Sequence, residues 1–334
     1  MRPIPVFAVF SLAGAVSMAA QAPPASGGQA PANEDVYQMG KELFDEYAPP
    51  EIKKQYEFPT KGQFDEFTAR LEKALDDGTL DELAGYEEQA RAMLAVLRAM
   101  PDEAGLADWL DARLDEIEEA KAIAEGGRPP AAPENPEIRR GTPPPGVPGA
   151  PGPPETLPAS HAGIPYYDRW LARERTTSEP GAAAKLMPRL RRDFTEEGVP
   201  PEIAWLAEAE SSLNPSAQSP SGACGLFQLK ADTARDLGLS TFLPDERTDP
   251  DKSARAAARY LRGLGRQFGS WPLAFAAYNA GSGRVRHLLE EKHASDYAGI
   301  AEALPAGTRM YVPKVCALIA VRAGVPPEKI RSPD

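Results

Sequence analysis

Pro200-Pro201-Glu202-Ile203-Ala204-Trp205-Leu206-Ala207-Glu208-Ala209-Glu210-Ser211 reads as a helix opened by proline. At 3.6 residues per turn, Ile203, Leu206, Ala207 and Glu210 share one stripe. That stripe is otherwise apolar and should face the core. Glu202 and Glu208 point off it and read as solvated charges. Glu210 is therefore a carboxylate on the wrong face. A buried carboxyl loses hydration, so its pKa rises and it can keep its proton near neutral pH. A general acid needs that property. The helix alone leaves a second reading open, in which Glu210 reaches water or a neighbouring Arg at the helix end.

The sequence around it narrows the choice. Glu210-Ser211-Ser212-Leu213-Asn214-Pro215 is followed by Ser221-Gly222-Ala223-Cys224-Gly225-Leu226-Phe227-Gln228-Leu229. Then come Ala276-Ala277-Tyr278-Asn279-Ala280-Gly281 and Met310-Tyr311-Val312-Pro313-Lys314. Four blocks in this order and spacing resemble the soluble type of lytic transglycosylase, with the resemblance running from about Tyr166 to Ala323. Those enzymes cut bacterial peptidoglycan on a goose-lysozyme-like helical fold. The resemblance implies that Glu210 is the catalytic acid, that Asn279 binds sugar, that Tyr278 belongs to the groove, and that Tyr311 faces the glutamate. It further implies that the substrate supplies its own nucleophile, the 6-hydroxyl of N-acetylmuramic acid. The deprotonated glutamate would accept that hydroxyl's proton, leaving a 1,6-anhydromuramoyl end without water.

The residues themselves add detail. Ser211 can hydrogen-bond the sugar, steady the glutamate, or simply end the helix. Gln228 offers an amide donor and acceptor suited to an N-acetyl group. A phenol at Tyr311 could hold the carboxyl's proton state, or be an aromatic core residue with a satisfied hydroxyl. Ordinary glycoside hydrolysis needs a second carboxylate. None stands in these blocks, and Asp232, Asp236 and Asp249 read as helix-start or solvated residues. Two rival readings stay in view: a hydrolytic muramidase, and a non-catalytic peptidoglycan-binding protein. The position of Cys224 is usually a small residue in the family, a modest departure.

Composition sets the outer bounds. The 334 residues carry 37 Lys+Arg and 49 Asp+Glu, a net charge of −12. The excess is local. Between 33 and 125 there are 10 basic and 25 acidic residues, while between 160 and 334 there are 23 and 21. An acidic first half argues against a nucleic-acid partner. The His, Cys and Asp spacings suggest no metal site, and no Gly-rich phosphate loop precedes a helix, so no cofactor is expected. Arg2, the apolar run from Ile4 to Ala20 and Ala20-Gln21-Ala22 read as a cleavable secretory signal over residues 1–22. Export to the periplasm is the expectation, with outer-membrane association left open. Cys224 and Cys316 could pair in an exported protein, though two small buried thiols are the favoured reading.

The expected organisation is all-α: an acidic helical bundle over 33–126, a Pro-rich linker over 127–159, and a lysozyme-like helical catalytic domain over 160–334. In the first part Phe64, Phe67, Leu71 and Leu75, then Tyr86, Ala90, Met93, Leu94, Leu97 and Met100, then Trp109, Leu110, Leu114 and Ile117 recur at helical spacing. The bundle is a candidate for recruiting a protein partner, or only a spacer. Twelve prolines lie between Arg128 and Pro158. Such a segment buries no core, and in polyproline geometry it reaches on the order of 90 Å, as a tether would. Further on, Asp249-Pro250-Asp251 marks a capped helix start, Trp271-Pro272 another, and a last helix should run from about Thr308 toward Gly324. Pro313 should fall in its first turn or kink it.

Overall fold

The computed structural model describes residues 61–99, 104–126 and 163–333. The expected signal over 1–22, residues 33–60 and the Pro-rich segment over 127–159 lie outside them. Among the described residues the regular structure is helical, and the only β pairing is two isolated bridges, Gln218 to Cys224 and Cys224 to Leu229. Four helices come first: α1 (Lys61–Asp77), α2 (Leu80–Ala84), α3 (Glu87–Ala99) and α4 (Ala104–Ala124). Then follow α5 (Tyr167–Glu174), α6 (Ala183–Glu196), α7 (Leu206–Ser211), α8 (Ala231–Asp236), α9 (Pro250–Phe268), α10 (Trp271–Ala280), α11 (Ser282–Glu291) and α12 (Ala306–Ala323).

Local chemistry sets several ends. Thr79 and Glu82 form a capping box that starts α2. Asp249 accepts from the N–H groups of Asp251 and Lys252, both at 3.0 Å, and Pro250 opens α9 as the sequence predicts. The stripe Ala254, Ala257, Ala258, Leu261 and Leu264 of α9 is buried. Gly269 and Gly324 end α9 and α12 in left-handed conformations. The last helix starts at Ala306, before the expected Thr308, so Pro313 sits beyond the first turn. A proline there has no N–H for the carbonyl of Arg309.

Helix α12 is the hub. It packs on α1, α4, α5, α7 and α10, and its residues from Ala306 to Ala320 are buried on nearly every side. A helix with no polar face must be surrounded. Each fully buried Val, Leu or Ile side chain on it stabilises by about 1.5–3 kcal/mol.

The acidic segment packs on itself, with α4 against α2 and α3, and it also shares its interior with the later helices. Leu71, Leu83 and Ile117 belong to the same hydrophobic cluster as Trp170, Phe194, Phe275 and Val315. The start of α4 docks on the chain just past Glu210. Gln218 N–H donates to the Gly105 carbonyl at 3.1 Å, Asn214 donates to Asp108, and a Cβ on Gly105 would lie 2.5 Å from the Ser216 carbonyl oxygen. Helices α1–α4 therefore cover a surface of the later helices; Arg113, Glu116 and Glu119 of α4 are buried, while charges such as Asp77, Asp81 and Glu82 stay exposed.

Candidate active site

The stretch carrying Glu210 is two pieces. Pro201–Trp205 is a single 3₁₀ segment, and α7 takes over at Leu206. Two adjacent prolines start the chain in a tight turn before the wider helix forms. The helix then stops at once. Ser212 and Leu213 both have positive φ, 50° and 62°. Two successive non-glycine residues in the left-handed region store strain, and such strain concentrates at functional sites.

Glu210 is buried as its stripe requires, at 6% exposure. Its Oε1 accepts the Tyr311 hydroxyl at 2.6 Å. Its Oε2 lies 3.5 Å from Nη2 of Arg113, a residue of α4. The same nitrogen donates to the Ala209 carbonyl at 2.7 Å, while Nη1 holds Glu116 at 3.0 Å. Lys314 Nζ stands 3.6 Å from Glu116 and donates to the Ala112 carbonyl. Burial raises the Glu210 pKa above the usual carboxylate range. The Arg113 charge and the Tyr311 hydrogen bond pull against that rise, and Glu116 adds to it. Burial also pushes the Tyr311 hydroxyl well up, so it stays a donor.

A cavity of about 410 Å³ opens over this carboxyl. Gln228, Tyr278 and Asn279 line it with Glu210, so these expected site residues come together. Gln228 has φ 44° and donates from its amide nitrogen to the carbonyls of Ala217 and Gly225, at 3.1 and 3.0 Å. Its Oε1 is buried without a hydrogen-bond partner. Only its acceptor is thus left for a ligand. The turn before it needs glycine, because a Cβ on Gly225 would fall 2.0 Å from the Arg247 carbonyl oxygen at φ 82°. Asn279 is exposed and accepts the Thr308 hydroxyl at 2.7 Å. Tyr278 donates to the Phe227 carbonyl at 2.7 Å. It thereby ties α10 to the glutamine turn.

Two readings change and one holds. Ser211 is fully buried, and its hydroxyl faces the carbonyls of Leu226 and Ala207 at 3.0 and 3.1 Å. It anchors the end of α7 to the glutamine turn and does not line the cavity. Glu208 is not a solvated charge. It is buried and paired with Arg322 at 2.7 Å. An arginine far along the chain paired with it, which helical periodicity cannot show. Cys224 and Cys316 are both free and buried, in line with the thiol reading.

The cavity is also lined by Trp109, Arg113 and Glu116 of α4 and Glu72, Leu75 and Asp76 of α1, of which periodicity marks only Leu75 and Trp109, and those as core residues. The signal was present. Trp109, Arg113 and Glu116 fall at i, i+4 and i+7 on the helix stripe that also carries Leu106, Ile117 and Ala120, so the reasoning that singles out Glu210 applies to them as well. Among the described residues no group of three or more His, Cys, Asp and Glu side chains could hold a metal ion.

Comparison with known proteins agrees with the four-block resemblance. Residues 192–300, about a third of the chain, match the transglycosylase SLT domain. The chain is 36% identical over 129 residues to membrane-bound lytic murein transglycosylase D of Escherichia coli K12, covering 37% of this chain and 28% of that protein. It is 37% identical over 120 residues to soluble lytic murein transglycosylase of Salmonella typhimurium, covering 34% and 19%. The chain thus spans less than a third of the length of these relatives. A solved structure of lytic transglycosylase Slt from Pseudomonas aeruginosa overlays with a TM-score of 0.40 at 17% identity, covering 90% of this chain and 48% of that one. Arg113 and Tyr311, which flank the buried carboxyl, both fall outside the matched span. Glu210, Gln228, Tyr278 and Asn279 all lie within residues 192–300, the span that matches the transglycosylase SLT domain.

Proposed function

We propose that this protein cleaves the β-1,4 bond between N-acetylmuramic acid and N-acetylglucosamine in peptidoglycan as a lytic transglycosylase, with Glu210 as its single acid and base. The observation that carries this is the Glu210 carboxyl, buried at the floor of the cavity and hydrogen-bonded by Tyr311 at 2.6 Å. Protonated Glu210 delivers its proton to the glycosidic oxygen as the bond from C1 breaks. The 6-hydroxyl of the same muramic residue then closes on C1, and its proton returns to the Glu210 carboxylate. No water is consumed. Arg113 and the Tyr311 hydroxyl stabilise the carboxylate formed midway, while burial restores its affinity for the proton. Gln228 Oε1 suits the N–H of an N-acetyl group, and exposed Asn279 suits a sugar hydroxyl. Tyr278 and Ser211 hold the walls in place.

A hydrolase would need a second carboxylate to activate water. Glu116 is the nearest candidate, but it is held by Arg113 at 3.0 Å and faced by Lys314 at 3.6 Å. Glu72 accepts the Ser221 N–H at 2.8 Å. A murein substrate would place the protein on the wall side of the inner membrane, in keeping with the export signal expected over 1–22. Among the described residues no helix is long and apolar enough to cross a membrane.

The test is digestion of purified sacculi followed by mass spectrometry. Anhydro-ended muropeptides, lighter by one water than the hydrolysis products, are expected from the wild type and none from Glu210→Gln. The variant should still sediment with sacculi. Hydrated products would establish the muramidase instead, and unchanged cleavage by Glu210→Gln would remove Glu210 from the chemistry.

A further inference from the structure

The cavity has two lips. One is the loop from Ser219 to Ala223, and the other is the corner from Asn279 to Arg284 together with Gly307 and Thr308. Helix α1 is bound to both. On the first side, Glu72 Oε1 accepts the Ser221 N–H at 2.8 Å. On the second, Arg284 donates to the Asp76 carbonyl and pairs with Asp77 at 2.8 Å. Just beyond the helix, the Gly78 carbonyl accepts the Ala306 N–H at 3.0 Å. The approach is close enough that a Cβ on Gly307 would lie 2.6 Å from the Leu75 carbonyl oxygen. Between these anchors Glu72, Leu75 and Asp76 face the cavity that holds Glu210.

A segment fastened to both lips of a groove crosses it. A helix with its side chains is about 10–12 Å thick, so no polymer strand passes where it lies. From this we infer that α1 is a strap that closes one end of the substrate groove, so that the enzyme works from the ends of glycan strands and not at internal bonds. The inference rests on the transglycosylase reading and deepens it by naming the form of substrate the site accepts, a strand terminus. The same acidic segment supplies Arg113 to the carboxyl and the strap to the groove. Both placements follow from packing that segment against α12.

The test uses the full chain and long, purified glycan strands, with products sized by chromatography and identified by mass. The wild type should release anhydro-disaccharide units from the first minutes while the remaining strands keep nearly their starting length. Glu72→Ala combined with Arg284→Ala removes the side-chain anchors on both lips, the Ser221 contact on one and both Arg284 contacts on the other. Its early soluble products should shift toward longer anhydro-ended fragments, with a rapid fall in the length of the remaining strands. Internal cutting by the wild type from the outset would overturn the strap. So would a folded double variant, by circular dichroism, with an unaltered product profile, even if its rate rises. If the double variant does not fold, the wild-type product profile alone decides. Failure of the underlying reading looks different: no anhydro ends would form from any strand, whatever its length.

Discussion

Replacing Arg113 with Met should separate two roles of one guanidinium. The change removes the ion pair to Glu116 at 3.0 Å, the contact with Glu210 at 3.5 Å and the donation to the Ala209 carbonyl at 2.7 Å. Taking one partner from a buried ion pair costs about 3–5 kcal/mol, because the other charge is left uncompensated. Lys314, 3.6 Å from Glu116, still faces that charge, which puts the expected loss near the lower end, about 3 kcal/mol. For a domain of this size each kcal/mol moves the melting temperature by about 2–4 °C, so the midpoint should fall by about 6–12 °C. The catalytic effect has a definite sign. Burial raises the proton affinity of Glu210, and Arg113 is the strongest influence opposing it. Without Arg113 the carboxyl keeps its proton to higher pH, and the alkaline limb of the cleavage profile moves up. Adding Glu116→Gln removes the stranded charge and should recover most of the stability. It should leave much of the alkaline shift, because Arg113 outweighs Glu116 at the carboxyl. Thermal melts by circular dichroism and a pH–rate series on sacculi measure the two effects separately. A limb that stays in place or moves to lower pH would refute the electrostatic argument, and an unchanged melt would refute the buried pairing.

Other outcomes follow from separate parts of the structure. Burial, aided by Asp115 and Glu208, lifts the Glu174 pKa from 4.5 to about 7 against Lys314 and Arg322. The folded state thus binds the proton more tightly than the unfolded chain, so stability falls as pH rises from about 4.5 to about 7. Glu174→Gln should flatten that slope and raise stability above pH 7 by up to about 3 kcal/mol, read by urea titration at several pH values. Gly225→Ala should yield little folded protein, since its Cβ would overlap the Arg247 carbonyl oxygen; soluble yield and the melting curve report it. Tyr278→Phe leaves the Phe227 carbonyl without its donor and should cost about 1–3 kcal/mol in a denaturant melt.

How legible the site was depends on which physical signal each residue carries. Glu210 announces itself because helical periodicity is local, and a carboxylate in an apolar stripe breaks it. The capped start of α9 and the glycine end of α12 are local in the same sense, set by side chains within a turn of the helix end. The position of α12 at the centre is partly legible, because a helix apolar on every face has to be enclosed. Arg113 and Glu116 break the pattern of α4 just as Glu210 breaks its own, yet the surplus of acid around them draws attention to the surface. Glu208 shows the opposite failure. It lies off the apolar stripe, but Arg322 meets it across 114 residues and makes burial tolerable. Such pairings belong to the tertiary arrangement. The two lips joined by α1 are of that kind, since neither Glu72 with Ser221 nor Asp77 with Arg284 has any spacing that a sequence pattern could register.

Helices α1–α4 and the later helices share one interior, which changes the meaning of the chain that joins them. Gly126 and Gly163 thus bound two described stretches that belong to one packed body. A protease cut between residues 126 and 163 should leave two fragments that stay together, because they share that interior and Arg113 of one contacts Glu210 of the other. The halves should also reassemble when produced as independent polypeptides, giving a complementation pair.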